Sequence, residues 1–486
     1  MALIDQGIAL HQSGNLKDAE SVYRRVLETD SGNFDALHML GIICAQWQQF
    51  DQAEQLIRTA LSIDSTIPPC HHNYGTVLAK LNRFEDAIDS YDKALAIAPN
   101  YAPVYSDRGN ALKELGRFEE ALATYDKGLA LNPKDAVACY NRGIAFDKLG
   151  RFADALASYD RALAINPGYP EAQLNRGILL LLLGDFERGW KGYEWRWKIK
   201  KPSSPERNFP QPKWSGEENI SGKTILLHTE QGLGDTIQFS RYARMLADKG
   251  AKVILEVQKP LISLMSSLAG PTQLVAPGDP LPQFDYHCPL ASLPYAFKTR
   301  LVTIPSNIPY LFPSSSGVQK WKQRLPQSSG LKVCINWAGN SAFKLDAKRS
   351  ILLPGILPLV ADSSASFLAI QKELRAGDLG ILHNTPQINY LGDQIETFDD
   401  TAAIISLSDL VISSDTSVVH LAGALGKPVW VLLGLAPDWR WLLDRDDNPW
   451  YPTARLFRQT SPGDWKGTIE RVTRELQQFG DRIHGQ

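Results

Sequence analysis

Cysteine is scarce in this chain, and what there is does not pair. The 486 residues include five cysteines, Cys44, Cys70, Cys139, Cys288 and Cys334, an odd number with no CxxC spacing among them. The pattern argues against a disulfide framework or a cysteine-built metal site and reads as reduced thiols filling small buried volumes in a cytoplasmic protein. An excess of either charge is also missing: 51 basic and 53 acidic side chains leave a formal net charge of -2. That balance gives no footprint for a nucleic-acid partner or a polybasic membrane anchor. Long apolar runs are absent too. The longest, Ile178–Leu183, falls far short of the roughly 20 residues that span a bilayer, so no transmembrane segment is expected. No leader pattern opens the chain, which enters a helical pattern at once with MALIDQGIALHQSG. With 44% apolar and 21% charged residues, the composition is that of a folded protein, and the length suggests about three domains.

What is present is a repeat. The segments FEDAIDSYDKALAIAPN, FEEALATYDKGLALNPK and FADALASYDRALAINPG align so that Ala87, Ala121 and Ala155 keep one spacing, as do Phe84, Phe118 and Phe152, and Pro99, Pro133 and Pro167. The same step backward finds Ala53 and Ala19, and forward Gly189; a glycine precedes each, at Gly7, Gly41, Gly75, Gly109, Gly143 and Gly177. A small residue in each helix allows close approach, and an aromatic one turn later (Tyr23, Tyr91, Tyr125, Tyr159, Tyr193) is expected to fill the next groove. Proline ends the second helix, and stacking is obligatory because no unit buries its own apolar face. The pattern resembles the tetratricopeptide family, with five full units and a sixth, over residues 1–203.

Two residues before each glycine stand Asp5, Met39, Asn73, Asp107, Asn141 and Asn175. In the architecture this resemblance implies, that position faces the concave surface. Asn73, Asp107, Asn141 and Asn175 could therefore hydrogen-bond an extended peptide acceptor, much as the similar asparagine ladder of the O-linked N-acetylglucosamine transferases; bonding to neighbouring helices is the alternative. The sixth unit carries Trp190, Trp195 and Trp197, too many for an exposed cap, and is expected to dock on the next domain.

A proline-rich connector, residues 204–221, leads to a different pattern. TILLH (224–228) and KVILEV (252–257) flank a helix-like stretch, as in a βαβ unit. KVCINWA (332–338), SFLAIQ (366–371), INYLG (388–392), DLVISSD (409–415) and PVWVLLG (428–434) come after them. Two Rossmann-like halves, 222–315 and 330–465, are the natural partition, with a C-terminal helix and tail at 466–486 that is expected to cross back over the first half.

Two constellations could carry chemistry. HTEQGLGDT ends the first strand and leads into the next helix; Gly232 and Gly234 suit a tight turn, and Asp235 reads either as a helix cap or as a base at the crevice edge. In DLVISSDTSVVHLAGALGKPVW, a strand delivers Asp415, Thr416 and Ser417 to the start of a helix carrying His420. Free N–H groups there suit a diphosphate; a capped helix with a packed histidine is the plain alternative. QGLGDTIQ and DLVISSDTSVVHLAGALGKPVWVL resemble the corresponding motifs of bacterial glycosyltransferases of the heptosyltransferase type, family 9. The resemblance implies a GT-B fold of two facing Rossmann domains behind the repeat superhelix, and an inverting, metal-independent transferase with a nucleotide-diphosphate sugar as donor and no other cofactor. It implies Asp235 as base, Gly232, Gly234, Asp415, Thr416, Ser417 and His420 around the donor, and charge neutralisation from Lys344, Lys348 and Arg349. Gln371 and Lys372 echo a Gln-Lys pair of the N-acetylglucosamine transferases. The aromatic segments DWRWL (438–442) and NPWYP (448–452) read as core or interface packing, with stacking on a ligand as the alternative. The alternative for the whole is a non-catalytic scaffold with a degenerate transferase-like half.

Overall fold

The computed structural model describes residues 2–199, 206–326, 330–342, 346–361, 365–461 and 463–484. It divides into two compact units, Met1–Ala172 and Gln173–Gln486.

The first unit is a stack of helix hairpins, from Ala2–Gln12 with Leu16–Thr29 to Ala136–Lys148 with Phe152–Ile165. The glycines explain its period. A Cβ on Gly75, Gly109 or Gly143 would lie 2.5–2.6 Å from the ring of Tyr91, Tyr125 or Tyr159. Each tyrosine thus covers the glycine of its own unit. The five cysteines are unpaired and buried.

The second unit takes in the sixth hairpin from Gln173 onward; its second helix, Phe186–Tyr193, runs into a 3-10 turn, Glu194–Trp197. Two parallel sheets come after it. The first contains β1 (Thr224–His228), β2 (Lys252–Glu256), β3 (Pro271–Val275) and β4 (Tyr286–Pro289), in the order β3-β2-β1-β4. The second contains β5 (Lys332–Asn336), β6 (Ser366–Ala369), β7 (Ile388–Tyr390), β8 (Leu410–Ser414), β9 (Val429–Leu433) and β10 (Ala454–Arg458), ordered β10-β9-β8-β5-β6-β7. That is a doubly wound order whose direction reverses between β5 and β8, where open sheets of this kind bind ligands. Every ladder is parallel. The central strands are apolar runs covered on both faces. The last helix, Trp465–His484, does not cross to the first sheet: Ile469, Val472 and Leu476 join the core of Val333, Ile412 and Leu432 in the second.

The sixth hairpin is welded to the sheets. Trp190 is 2% exposed, donates its indole N–H to the Thr299 carbonyl at 3.0 Å, and meets Trp439 edge-on at 5.1 Å. Arg196 holds Glu230 through two bonds of 2.9 and 2.7 Å and Glu194 at 2.6 Å. The described part of the connector is packed as well. Trp214 is buried and donates its backbone N–H to the His287 carbonyl at 2.8 Å, and Arg207 pairs with the buried Glu256.

Candidate functional site

The two turns singled out in the sequence meet. One leaves β1 and leads into the helix Leu233–Ser240; the other leaves β8 and leads into the helix Ser417–Ala424. Both lie at the carboxyl ends of central strands. The contact between the helices rests on Gly234, where a Cβ would lie 2.7 Å from His420 Cδ2 and 3.5 Å from Ser417 Cα. Gly232 is different. Its φ of -71° suits any residue, and a Cβ there would approach only the Asp235 carboxylate, at 3.3 Å. The turn therefore needs glycine at 234 for close approach and at neither position for backbone freedom.

Asp235 both caps its helix and faces a charge. Its Oδ2 accepts the Gly232 N–H at 2.9 Å, and its Oδ1 pairs with Arg440. Burial pushes its carboxyl above the usual range; Arg440 opposes the rise and the charge of Asp438 adds to it. Arg440 is itself buried. Its guanidinium also donates to Gln238 Oε1 at 2.6 Å and to Asp438 Oδ1 at 2.8 Å, and lies over the Trp439 ring at 4.3 Å. This arginine joins the two sheets at the site, and sequence reasoning passed over it as part of an aromatic packing segment. The readable signal was a lone arginine between two tryptophans, a setting that suits a buried guanidinium.

At the reversal point, Thr416 caps the helix Ser417–Ala424, its Oγ1 accepting the Val418 N–H at 3.3 Å and an Asn336 amide N–H at 3.2 Å. Asn336 ends β5. Ser417, half-buried, is the first residue of the helix. Asp415 precedes the cap, and its carbonyl accepts Arg349 Nη1 at 3.0 Å. Burial first, and then the charge of Asp438, push the Asp415 carboxyl up to about 6. Arg349 also pairs with Asp346 at 3.3 Å and crosses Gly339, where a Cβ would lie 2.5 Å from Nη2.

Other expected donor residues take different roles. His420 is buried, stacked on Trp441 at 5.8 Å, with Nδ1 at 3.1 Å from the Tyr451 hydroxyl. Burial, aided by Arg440, Arg241 and Arg349, holds its pKa well below the usual value, so it brings no positive charge to a phosphate. Gln371 is spent on backbone: its Oε1 accepts from Trp337 and Ala338 N–H, and its Nε2 donates to the Ala338 and Glu373 carbonyls. It shapes the loop after β5 and has no group left for a ligand. Lys372 donates to the Ile395 carbonyl. Lys348 is exposed beside Arg349, and Lys344 lies outside the described residues. Among the described residues no cluster of three or more His, Cys, Asp or Glu side chains is placed to hold a metal ion.

In the first unit the ladder side chains bond one another's neighbours. Asn73 meets His38 at 3.0 Å, Asp107 meets His72 at 2.7 Å, and Asn141 accepts from Lys113 at 3.2 Å. Asn175 stands at the equivalent position of the helix Pro170–Leu182.

A stack of glycine-pinned helix hairpins followed by a parallel-sheet α/β region defines the class, and comparison with known proteins agrees for the hairpins. Models described as tetratricopeptide repeat match residues 10–69, 69–134, 106–170 and 140–189, so this part of the chain is a tetratricopeptide array. The chain is 28% identical over 328 residues to the protein FlbA of Caulobacter vibrioides, a match covering 60% of this chain and 52% of FlbA. That share exceeds the whole repeat region, so it reaches into the α/β half; the chain spans about half the length of this relative. Among solved structures, Pseudomonas aeruginosa pilF is 22% identical with a TM-score of 0.37, covering 41% of this chain and 89% of pilF. YrrB, described as a TPR protein with an unusual peptide-binding site, is 24% identical with a TM-score of 0.33, covering 35% of this chain and 89% of YrrB. Among the described residues no helix is long and apolar enough to cross a membrane.

Proposed function

We propose that the second unit is an inverting glycosyltransferase that takes a nucleotide-diphosphate sugar, and that the repeats recruit its protein or peptide acceptor. The observation that carries this reading is the meeting of two strand-to-helix turns at Gly234 and His420, with Asp235 and Arg440 on one side and Asp415, Thr416, Ser417 and Arg349 on the other. Two helix N-termini beside a buried arginine suit a diphosphate, whose negative charge grows as it leaves. Arg349 and the start of the helix Ser417–Ala424 take the diphosphate. The Asp415 carboxyl suits the sugar hydroxyls. Asp235 receives the proton of the acceptor hydroxyl: burial favours the protonated product, while the charge of Arg440 favours the ionised form. The two sheets then act as the facing halves of a GT-B enzyme.

The test is transfer itself. Incubation of the protein with candidate nucleotide sugars and a repeat-bound acceptor, read by intact-mass spectrometry, should show the mass of one sugar added. Asp235→Asn should lower that rate by about 10²–10⁴. A variant that keeps full transfer removes the base from Asp235. Failure of the unaltered protein to bind any nucleotide diphosphate leaves the alternative, an interaction scaffold with a degenerate α/β half.

A further inference from the structure

The turn that carries Gly232, Gly234 and Asp235 is held at both ends by an arginine from another part of the chain. At its far end Arg440, from the loop between β9 and β10, pairs with Asp235. At its near end Arg196, from the 3-10 turn of the sixth hairpin, grips Glu230 as a fork. Its Nε donates to one carboxylate oxygen at 2.9 Å and its Nη2 to the other at 2.7 Å. Between the two, Tyr193 of the same hairpin exchanges hydrogen bonds with the Gln231 side chain, its hydroxyl accepting from Nε2 at 2.8 Å and donating to Oε1 at 3.2 Å. Gln258 completes the frame by donating to the Gln231 carbonyl at 3.0 Å.

Arg196 has no donor to spare. Its Nη1 meets Glu194 at 2.6 Å and the Tyr193 carbonyl at 3.2 Å, and its Nη2 also meets Ser292 Oγ at 2.7 Å, so every N–H of the guanidinium is engaged. Arg196 and Lys213 balance the carboxylates of Glu194 and Glu230. Burial pushes the Glu230 carboxyl above the usual range, and Arg196 opposes the rise. Buried ion pairs add little net stability over apolar packing, and Phe186 and Trp190 already seat the hairpin. What the fork adds is a fixed place for Glu230. That place matters because Gly234, further along the same turn, has no slack: a Cβ there would lie 2.7 Å from His420 Cδ2.

We propose that Arg196 and Tyr193 are positioning residues for the Asp235 turn, so that the sixth hairpin is part of the α/β site itself rather than a spacer. Neither touches the reacting atoms; both act by fixing where Asp235 stands. Their effect on turnover rests on the transferase reading, whereas their effect on the turn does not.

The experiment compares the full chain with Arg196→Lys, which keeps the charge but cannot fork across a carboxylate, and with Tyr193→Phe, which removes only the hydroxyl; the melting temperature checks folding. The first readout is hydrogen exchange. The Gly232 N–H, held by Asp235 at 2.9 Å, and the Thr236 N–H, held by the Gly232 carbonyl at 3.2 Å, report the turn. Their exchange should quicken at least about tenfold in each variant while the amides of β8 stay as in the parent. The second readout is the Kd of UDP, GDP and ADP, together with their release from the corresponding sugar conjugates, water serving as acceptor. The Kd should stay within about twofold, because Arg349 and the helix Ser417–Ala424 hold the diphosphate, while release falls about 10²-fold in Arg196→Lys. Parent-like exchange of the turn in both variants, equal quickening of the turn and β8, or parent-like release in Arg196→Lys overturns the assignment. A parent that neither binds nor releases any of the three diphosphates refutes the transferase reading, and the exchange readout then decides the positioning by itself.

Discussion

Replacing Gly234 by alanine should damage this protein far more than the same change at Gly232, although the two glycines stand in one short turn. At 234 the new methyl group would lie 2.7 Å from His420 Cδ2. The histidine has no room to retreat, since its ring stacks on Trp441 at 5.8 Å and its Nδ1 is 3.1 Å from the Tyr451 hydroxyl. Forcing a methyl into such a contact costs about 1–3 kcal/mol. Alanine recovers about 1 kcal/mol through its helix preference, leaving a net loss of up to about 2 kcal/mol. At about 2–4 °C per kcal/mol for a large domain, the melting temperature should fall by up to about 8 °C. At 232 the φ of -71° is ordinary and the nearest atom is a carboxylate oxygen 3.3 Å away, so the change should stay within about 0.5 kcal/mol. Differential scanning calorimetry of both variants decides the matter. Equal losses, or a larger loss at 232, would refute the view that the turn is shaped by contact with the His420 helix.

Arg440→Met leaves Asp235 and Asp438 facing each other without their shared cation; a loss of about 3–5 kcal/mol is expected in urea denaturation, and Arg440→Lys should rescue little because an ammonium cannot span both carboxylates and Gln238. Trp190→Ala removes an indole that is 2% exposed and bonded to Thr299, at a cost of about 3–5 kcal/mol, read as a lower urea midpoint for the unit that contains both sheets. Asp415 gives a pH signature. Burial and the charge of Asp438 push its carboxyl up from the ordinary 3.8 to about 6, so the folded state binds the proton more tightly. This contribution to stability is complete below the ordinary value and is lost as pH rises through about 6, amounting to at most about 3 kcal/mol. Asp415→Asn should remove that decline, and a variant with the parent's pH profile of stability would contradict it.

The sequence exposed the architecture unevenly, for physical reasons. Strands β1, β2, β5, β6, β7, β8 and β9 were legible as β-branched or apolar runs, and six of these seven are flanked on both sides in their sheets. The three strands that passed unnoticed, β3, β4 and β10, all lie at sheet edges. PTQLV in β3 begins with proline and exposes its middle, while β10 is bounded by residues such as Arg458 that reach toward solvent or neighbouring loops. The exposed middle of β3 weakens its pattern, whereas β4 and β10 are largely buried and their runs are interrupted by polar residues such as His287 and Arg455. The candidate site was legible where glycine and hydroxyl residues come directly after a strand, at Gly234 and Thr416. It was not legible at Arg440, which comes from a loop far along the chain and acquires meaning only through its contact with Asp235. His420 and Gln371 carried a signal of polar residues near strand ends, yet burial turned the first into a neutral wedge and backbone bonding consumed the second.

The central claim is that the α/β region binds a nucleotide-diphosphate sugar at the meeting of the two turns. A thermal-shift screen of the full chain against nucleoside diphosphates and nucleotide sugars, each with and without EDTA, tests it most directly. Stabilisation by one nucleotide family is expected, about 2.7 kcal/mol at a hundredfold excess over Kd, insensitive to EDTA and lost in Arg349→Gln. No shift with any of these ligands, or a shift that survives in Arg349→Gln, would contradict it.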